Sequence, residues 1–445
     1  MREQELRAAV RSRAEMNLWS RLLFGSDQRI GERNILWNML GSAVYALTSM
    51  LLGAAVTRCL GADAGGIFFF AFSTFGQQMF IVAYFGMRPL QITDAAGRFS
   101  FAEYRHFRCL SCLAAAVLSL GYALICTEAG MARSVLLLMA LYKVLDGYAD
   151  CYDSEFQRQG RLYLAGKSNA FRTLLSVLLF TGAMLKTGDL VLSSAAAVLG
   201  QGLSLLLFCV LPLREFRAVS FRRQRGSAWA LFQRSRWLFV SSFLDLYIFA
   251  ASKYAVNRHM SSADNGYYTT IFIPTSVINL MANFVIRPVL TGLSEKRERG
   301  DRAGFLGLLQ KIALLIAIFT LLGAGAAWLL GIPVLSLLVG AEAGAALRPY
   351  RGALIEVIFG GGFYALLNLL YYVLVILEAQ RSIFLIYGGT TVFAWLISDV
   401  MVLRRGIPGA AEAYLLTMLL LTLCFLFSAA QRLRRDERLN VEERA

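Results

Sequence analysis

Charge is what this sequence is short of. Asp, Glu, Lys and Arg make up 16% of its 445 residues, against about 25% in soluble domains. Histidine is nearly missing: only His106 and His259 occur, and neither belongs to a metal-ligand or triad spacing. Seven cysteines are scattered without paired spacing, which speaks against a disulfide framework or a zinc site. No phosphate-cradling GxxxxGK(S/T) loop is present, so direct ATP hydrolysis is not expected. These deficits exclude a soluble enzyme, a disordered scaffold and a nucleic-acid module, in spite of a net charge of +15. What is there is apolar, 57% of all residues, with a mean hydropathy of +0.57. The composition is that of an integral membrane protein.

A hydrocarbon core of roughly 30 Å needs about 20 apolar residues per helical crossing. Twelve such runs are present, near 34–57, 67–87, 109–127, 134–153, 169–187, 190–212, 237–257, 267–290, 308–331, 351–377, 382–403 and 411–430. With the N-terminus inside, the inner connections carry 34 of the 44 Lys and Arg, and the outer ones eight. By the positive-inside rule this places both termini in the cytoplasm, and the basic excess serves anionic lipid contact only secondarily. The first 33 residues are basic without an apolar core and cleavage site, so the first span itself is expected to direct insertion. Trp19, Leu22, Leu23 and Phe24, beside Arg13 and Arg21, suggest a short helix on the inner membrane surface.

The longest inner connection, 214–236, divides six spans from six. The expected organisation is a cytoplasmic segment 1–33, a six-helix bundle 34–213, a linker 214–236, a second six-helix bundle 237–430 and a tail 431–445. The two halves show a modest repeat. VTRCLGADAGGIFF aligns with VNRHMSSADNGYYT, placing Val56, Arg58 and Gly66 on Val256, Arg258 and Gly266. FGMRPL aligns with FVIRPV, placing Phe85, Arg88 and Pro89 on Phe284, Arg287 and Pro288. An Arg-Pro pair alone is cheap, and Arg348-Pro349 is a third copy. The weight comes from two features at nearly one offset in matching positions. Six spans per half keep the same orientation, so the expected fold is all-α, two six-helix bundles related by a pseudo-twofold axis along the membrane normal.

The opening NILWNMLGSAVYALTSMLLGAAVTRCLGADAGGIFFFAFS resembles that of the bacterial polysaccharide or O-antigen flippases. The shared features are a first span with Asn and small residues, then (V/T)-x-R-x-L-G, then an acidic-small-Gly turn into an aromatic span. LVGAEAGAALRPYRGALI and RRGIPGAAEAYLL resemble the family's outer connections. That family belongs to the multidrug/oligosaccharidyl-lipid/polysaccharide exporter superfamily. The resemblance implies a flippase that carries an undecaprenyl-diphosphate-linked oligosaccharide from inner to outer leaflet. It further implies function beside glycosyltransferases and a polysaccharide polymerase. A drug/cation antiporter of the same superfamily is the alternative; a membrane polymerase or ligase is a weaker one, since no outer loop is long enough to carry catalytic residues. No cofactor is expected beyond a coupling ion, H⁺ or Na⁺.

Carrying a charged sugar head through hydrocarbon requires a polar passage, because each unsatisfied polar group there costs several kcal/mol. On the fourth span Lys143, Asp146, Asp150 and Asp153 fall at i, i+3, i+7 and i+10, within one helix face. Two readings stand: a cavity stripe in which Asp146 or Asp150 takes up the coupling ion, or a neutralising Lys143–Asp146 pair. Asp245 and Glu356 are further candidate ion-coupling carboxylates, and Lys253 a candidate substrate contact. Arg58 and Arg258 would flank the outer mouth, Arg88 and Arg287 the inner one. There they can grip phosphate or simply anchor span ends. Pro274 can kink the eighth span, and Gly360, Gly361 and Gly362 permit a break or a close helix contact.

Overall fold

In the computed structural model the described residues are 29–94, 98–214, 226–279, 299–377 and 379–442, with Leu23, Ala282, Ile286, Leu293, Lys296 and Arg297. Among them the secondary structure is entirely helical. That follows from the composition: in lipid a spanning segment must satisfy its own backbone, and a helix does so within one segment.

The helices in chain order are α1 Ile30–Leu60, α2 Ala62–Ile92, α3 Phe101–Cys126, α4 Met131–Arg158, α5 Leu162–Thr187 and α6 Leu190–Arg214. There follow α7 Ser227–His259, α8 Ser262–Ile271, α9 Arg302–Val339 and α10 Arg351–Ile376. Gln380–Glu442 is a pair, α11 (380–405) and α12 (407–442), divided at Gly406, whose φ of 60° only glycine adopts freely. Nine apolar stretches among the described residues are long enough to cross a membrane, the last being the α11–α12 pair. The fourth expected span is the 28-residue α4, whose charges lower its hydropathy. The eighth begins with α8 and is described as far as Asn279 and at isolated positions beyond. This is the all-helical, roughly twelve-helix membrane fold expected from the sequence.

Several helices outrun their apolar windows: α4 exceeds 134–153, and α7 begins ten residues before 237. Arg108, Lys167 and Arg172, which the sequence placed in inner connections, therefore lie inside helices and are buried. They serve side-chain bonding rather than headgroup contact, so the basic count overstates the surface charge of those connections. A surface position is also wrong for Leu23. It is 2% exposed and packs with Met87, Phe101 and Tyr104, because its apolar side chain finds a protein core there; Trp19, Leu22 and Phe24 lie outside the described residues.

Two compact units are formed. One comprises residues up to Ser49 with Met79–Leu238, the other Met50–Gln78 with Phe239–Ala445. The C-terminal part of α1 and the first half of α2 thus pack with α7–α12. In the first unit α1 crosses α5 closely, since a Cβ on Gly41 would overlap the Gly166 carbonyl. In the second, α10 is continuous through Gly360, Gly361 and Gly362, and Cβ atoms there would overlap Tyr414, Thr275 and Thr320. The glycines give close packing, not a break. Near Pro274 the helix does turn: Phe272 closes α8, and the Thr275 N–H bonds back to the Phe272 carbonyl at 3.1 Å. Leu113, Val117 and Leu124 of α3 and Leu314, Leu321 and Leu329 of α9 remain exposed, as lipid-facing side chains do.

Candidate functional site

The charges inside the helices form two sets, one in each unit. The first is built on α4. A side chain every third or fourth residue shares a helix face, and this places Lys143, Asp146, Asp150 and Asp153 together, all of them buried. Desolvated carboxylates need partners, and arginines supply them. Asp150 takes Arg88 of α2 at 2.6 Å on one oxygen and Arg108 of α3 at 3.1 Å on the other. Arg108 is fully buried and also donates to the carbonyls of Ala83 and Tyr84, while Arg88 reaches Gln157 at 3.0 Å. Arg172 of α5 bridges Asp153 at 3.1 Å and Asp146 at 3.4 Å. Gln201 of α6 donates to Asp146 at 3.3 Å and accepts from Ser176 at 3.2 Å.

Lys143 and Asp146 interact electrostatically, and a tyrosine of α1 stands by both. The Lys143 ammonium donates to the Tyr45 hydroxyl at 2.9 Å, and that hydroxyl interacts with Asp146 in turn. Toward the end of α4, Glu155 binds Arg158 at 2.9 Å and accepts from Gln91 at 3.1 Å. The set ends at the α2–α3 connection, where Asp94 accepts from the N–H groups of Arg98 and Phe99 at 2.9 Å and from Tyr104 at 3.1 Å.

In the second unit Asp245, Lys253 and Glu356 have no opposite charge within ion-pair distance among the described residues. Asp245 of α7 accepts from the Tyr364 hydroxyl at 3.0 Å and interacts with Tyr387. Its other oxygen is buried without a hydrogen-bond partner among the described residues. Lys253, two turns along the same helix, is 7% exposed and lies 4.2 Å from the Phe272 ring centroid and 5.7 Å from that of Phe249. Glu356 of α10 is half-buried with one oxygen unbonded among the described residues.

The arginines assigned to the outer mouth are bonded to protein. Arg58 donates to the Leu337 carbonyl at 3.1 Å. Arg258 pairs with Asp399 of α11 at 2.6 Å, and His259 lies 3.3 Å from the other Asp399 oxygen. Arg287 lies outside the described residues. Arg88, assigned to the inner mouth, is the partner of Asp150. Sequence reasoning missed Arg108, Arg172, Gln201, Gln91 and Tyr45. Their signal was weak but present: polar residues at helical spacing on the spans flanking an acidic span.

Comparison with protein-family models gives no match, and none of the curated proteins matches. Solved structures do. A lipid II flippase, MurJ, in an inward closed conformation is similar with a TM-score of 0.62 at 14% identity, over 90% of this chain and 87% of that one. An inward-facing multidrug resistance MATE family transporter of the MOP superfamily is similar with a TM-score of 0.62 at 11% identity, over 91% and 99%. A eukaryotic MATE transporter, AtDTX14, gives 0.60 at 12% identity, over 92% and 99%. The chain has the fold of MOP-superfamily transporters.

Proposed function

We propose that this chain is a flippase of the inner membrane that moves an undecaprenyl-diphosphate-linked oligosaccharide from the inner to the outer leaflet. It works by ion-coupled alternating access, with both termini in the cytoplasm. The fold is compatible with flippases and with drug/cation antiporters alike, and one observation favours the anionic substrate. Every acidic side chain on α4 is engaged by an arginine: Asp146 and Asp153 by Arg172, Asp150 by Arg88 and Arg108, Glu155 by Arg158. Removing a charge from water costs several kcal/mol unless it is well paired, and these carboxylates are already paired with cations of the protein. They are poor ligands for a cationic drug. The opening motif and the basic excess support the same substrate class.

Asp245 is the candidate for the coupling ion, H⁺ or Na⁺. It is an intramembrane carboxylate with one oxygen free of hydrogen bonds among the described residues, bonded to tyrosine rather than arginine. The antiporter reading draws on this same group, because a carboxylate among aromatic rings suits an organic cation. Membrane lipids are the surroundings, and glycosyltransferases and a polymerase the functional neighbours.

The deciding experiment reconstitutes the full chain in proteoliposomes with a fluorescent undecaprenyl-diphosphate-linked sugar in one leaflet. An imposed H⁺ or Na⁺ gradient should move it to the other leaflet, where a membrane-impermeant quencher reaches it. No movement of the lipid, together with gradient-driven uptake of an organic cation, would establish the antiporter instead.

A further inference from the structure

Six basic side chains are candidates for holding an anionic head group, and the structure separates them. Arg88 is bound to Asp150, Arg258 to Asp399, Arg58 to a backbone carbonyl and Lys143 to Tyr45; Arg287 lies outside the described residues. Lys253 is different. Among the described residues no carboxylate lies within ion-pair distance of it and its ammonium meets no hydrogen-bond acceptor. Its contacts are the π faces of Phe249 and Phe272.

This arrangement is held rigidly. Phe272 packs against Tyr268 at 5.2 Å and Tyr414 at 4.6 Å, and Phe249 against Tyr364 at 4.7 Å between ring centroids. The Tyr268 hydroxyl donates to Ser252 at 2.8 Å, next to Lys253, and lies 3.0 Å from the Ala410 carbonyl. Lysine stems usually carry the ammonium outward to water. Lys253 begins six residues from the end of α7, about 9 Å along the axis, and remains 7% exposed.

We infer that Lys253 is the anion anchor of this transporter, and that Phe249 and Phe272 occupy its ammonium until a phosphate arrives. The inference rests on the flippase reading and deepens it. A buried ammonium over aromatic rings is attracted by the ring quadrupole, but it keeps three N–H donors unfilled. A phosphate oxygen offers a shorter, charge-assisted hydrogen bond of greater strength. The rings keep the unoccupied site folded without competing as an internal carboxylate would. The ligand chemistry is a diphosphate group, whether lipid-borne or free.

The test uses the purified full chain and its thermal midpoint with undecaprenyl diphosphate, with undecaprenol and with inorganic diphosphate. The wild type should be stabilised by the diphosphate lipid and not by the uncharged alcohol. Lys253→Met should weaken that response by roughly tenfold or more, with a ligand-free midpoint equal to or above that of the wild type, since an unpaired buried charge is removed. Lys253→Arg should retain the response. A Lys253→Met protein that binds the lipid as the wild type does, or a wild type that responds to neither diphosphate, overturns the anchor. A wild type that responds to inorganic diphosphate through Lys253 but not to the lipid keeps the anchor and removes the flippase reading.

Discussion

Gly66 of α2 and Gly266 of α8, 200 residues apart, meet at a crossing of the two helices that both of them make possible. A Cβ on Gly66 would overlap the Ser262 carbonyl oxygen, and one on Gly266 would stand 2.9 Å from the Ala62 carbonyl oxygen and 3.0 Å from the Gly66 nitrogen. Ala62 and Ser262 are themselves 200 apart, so residue 62 faces 266 while residue 66 faces 262. Reciprocal contact of this kind is the signature of a local twofold relation. It comes from the same offset that the sequence repeat showed. Asn265 adds a bond to the Gly66 carbonyl at 3.4 Å.

The crossing predicts a graded cost. Gly66→Ala places a methyl group against backbone that has no freedom to yield, and should destabilise the protein by about 1–3 kcal/mol or more, as overpacking does. Gly266→Ala, with contacts near 3 Å, should cost less. Gly121→Ala on α3 meets nothing within 4 Å and should be neutral or slightly stabilising. Thermal midpoints of the three variants check the order, and an equal effect at all three positions would contradict it.

The repeat was legible because its glycines occupy a backbone contact, where only one residue type fits. The helices were legible because lipid leaves the backbone no alternative. The charged set of α4 was half legible: period 3.6 put Lys143, Asp146, Asp150 and Asp153 on one face, but not the partners. Arg108 stands one residue before the third apolar run and Arg172 three residues inside the fifth. From one sequence, a basic residue there cannot be told from a headgroup anchor. Which cation meets which carboxylate depends on how α2, α3, α5 and α6 pack around α4, and pairing across helices leaves no trace in spacing along any one of them.

The Arg172 bridge predicts asymmetric damage. Arg172→Met strands Asp146 and Asp153 in a buried site, and breaking such a pair costs about 3–5 kcal/mol. Asp146→Asn leaves Arg172 with Asp153 and keeps an acceptor for Gln201, so it should cost much less. Yield of folded protein by size-exclusion chromatography and the thermal midpoint should both rank Arg172→Met lowest.

Asp94 predicts a pH dependence. Burial alone would raise its pKa, but the N–H groups of Phe99 and Arg98, the Tyr104 hydroxyl and the Arg158 guanidinium outweigh it and hold the carboxyl below its ordinary value of 3.8. A depressed folded-state pKa contributes stability above the unfolded value, lost as the pH falls through the folded one. The stability gap between wild type and Asp94→Ala should therefore be constant from neutral pH down to about pH 5 and shrink in stronger acid. A gap that opens on acidification would contradict these bonds.

Orientation gives a prediction independent of substrate. Reporter fusions within 215–225 and after the C-terminal residue should both read cytoplasm, because the connections carrying most of the Lys and Arg lie on that side. Either fusion reading outside would overturn the proposed topology.

Asp245 carries the prediction on energy coupling. Its carboxylate is bonded by the Tyr364 hydroxyl, and its second oxygen has no hydrogen-bond partner among the described residues. A group that serves only to hold α7 against α10 would be missed on removal, whereas a coupling group would not be missed by the fold. Asp245→Asn should keep or raise the thermal midpoint, because a buried charge is replaced by an isosteric amide. In proteoliposomes it should abolish the acceleration of lipid movement by an H⁺ or Na⁺ gradient and leave exchange without a gradient in place. Tyr364→Phe removes one bond to the carboxylate and should shift the ion concentration for half-maximal transport without abolishing coupling. An Asp245→Asn protein that unfolds several degrees earlier yet still answers the gradient would make Asp245 a structural acid, and the coupling site would have to be sought at Glu356.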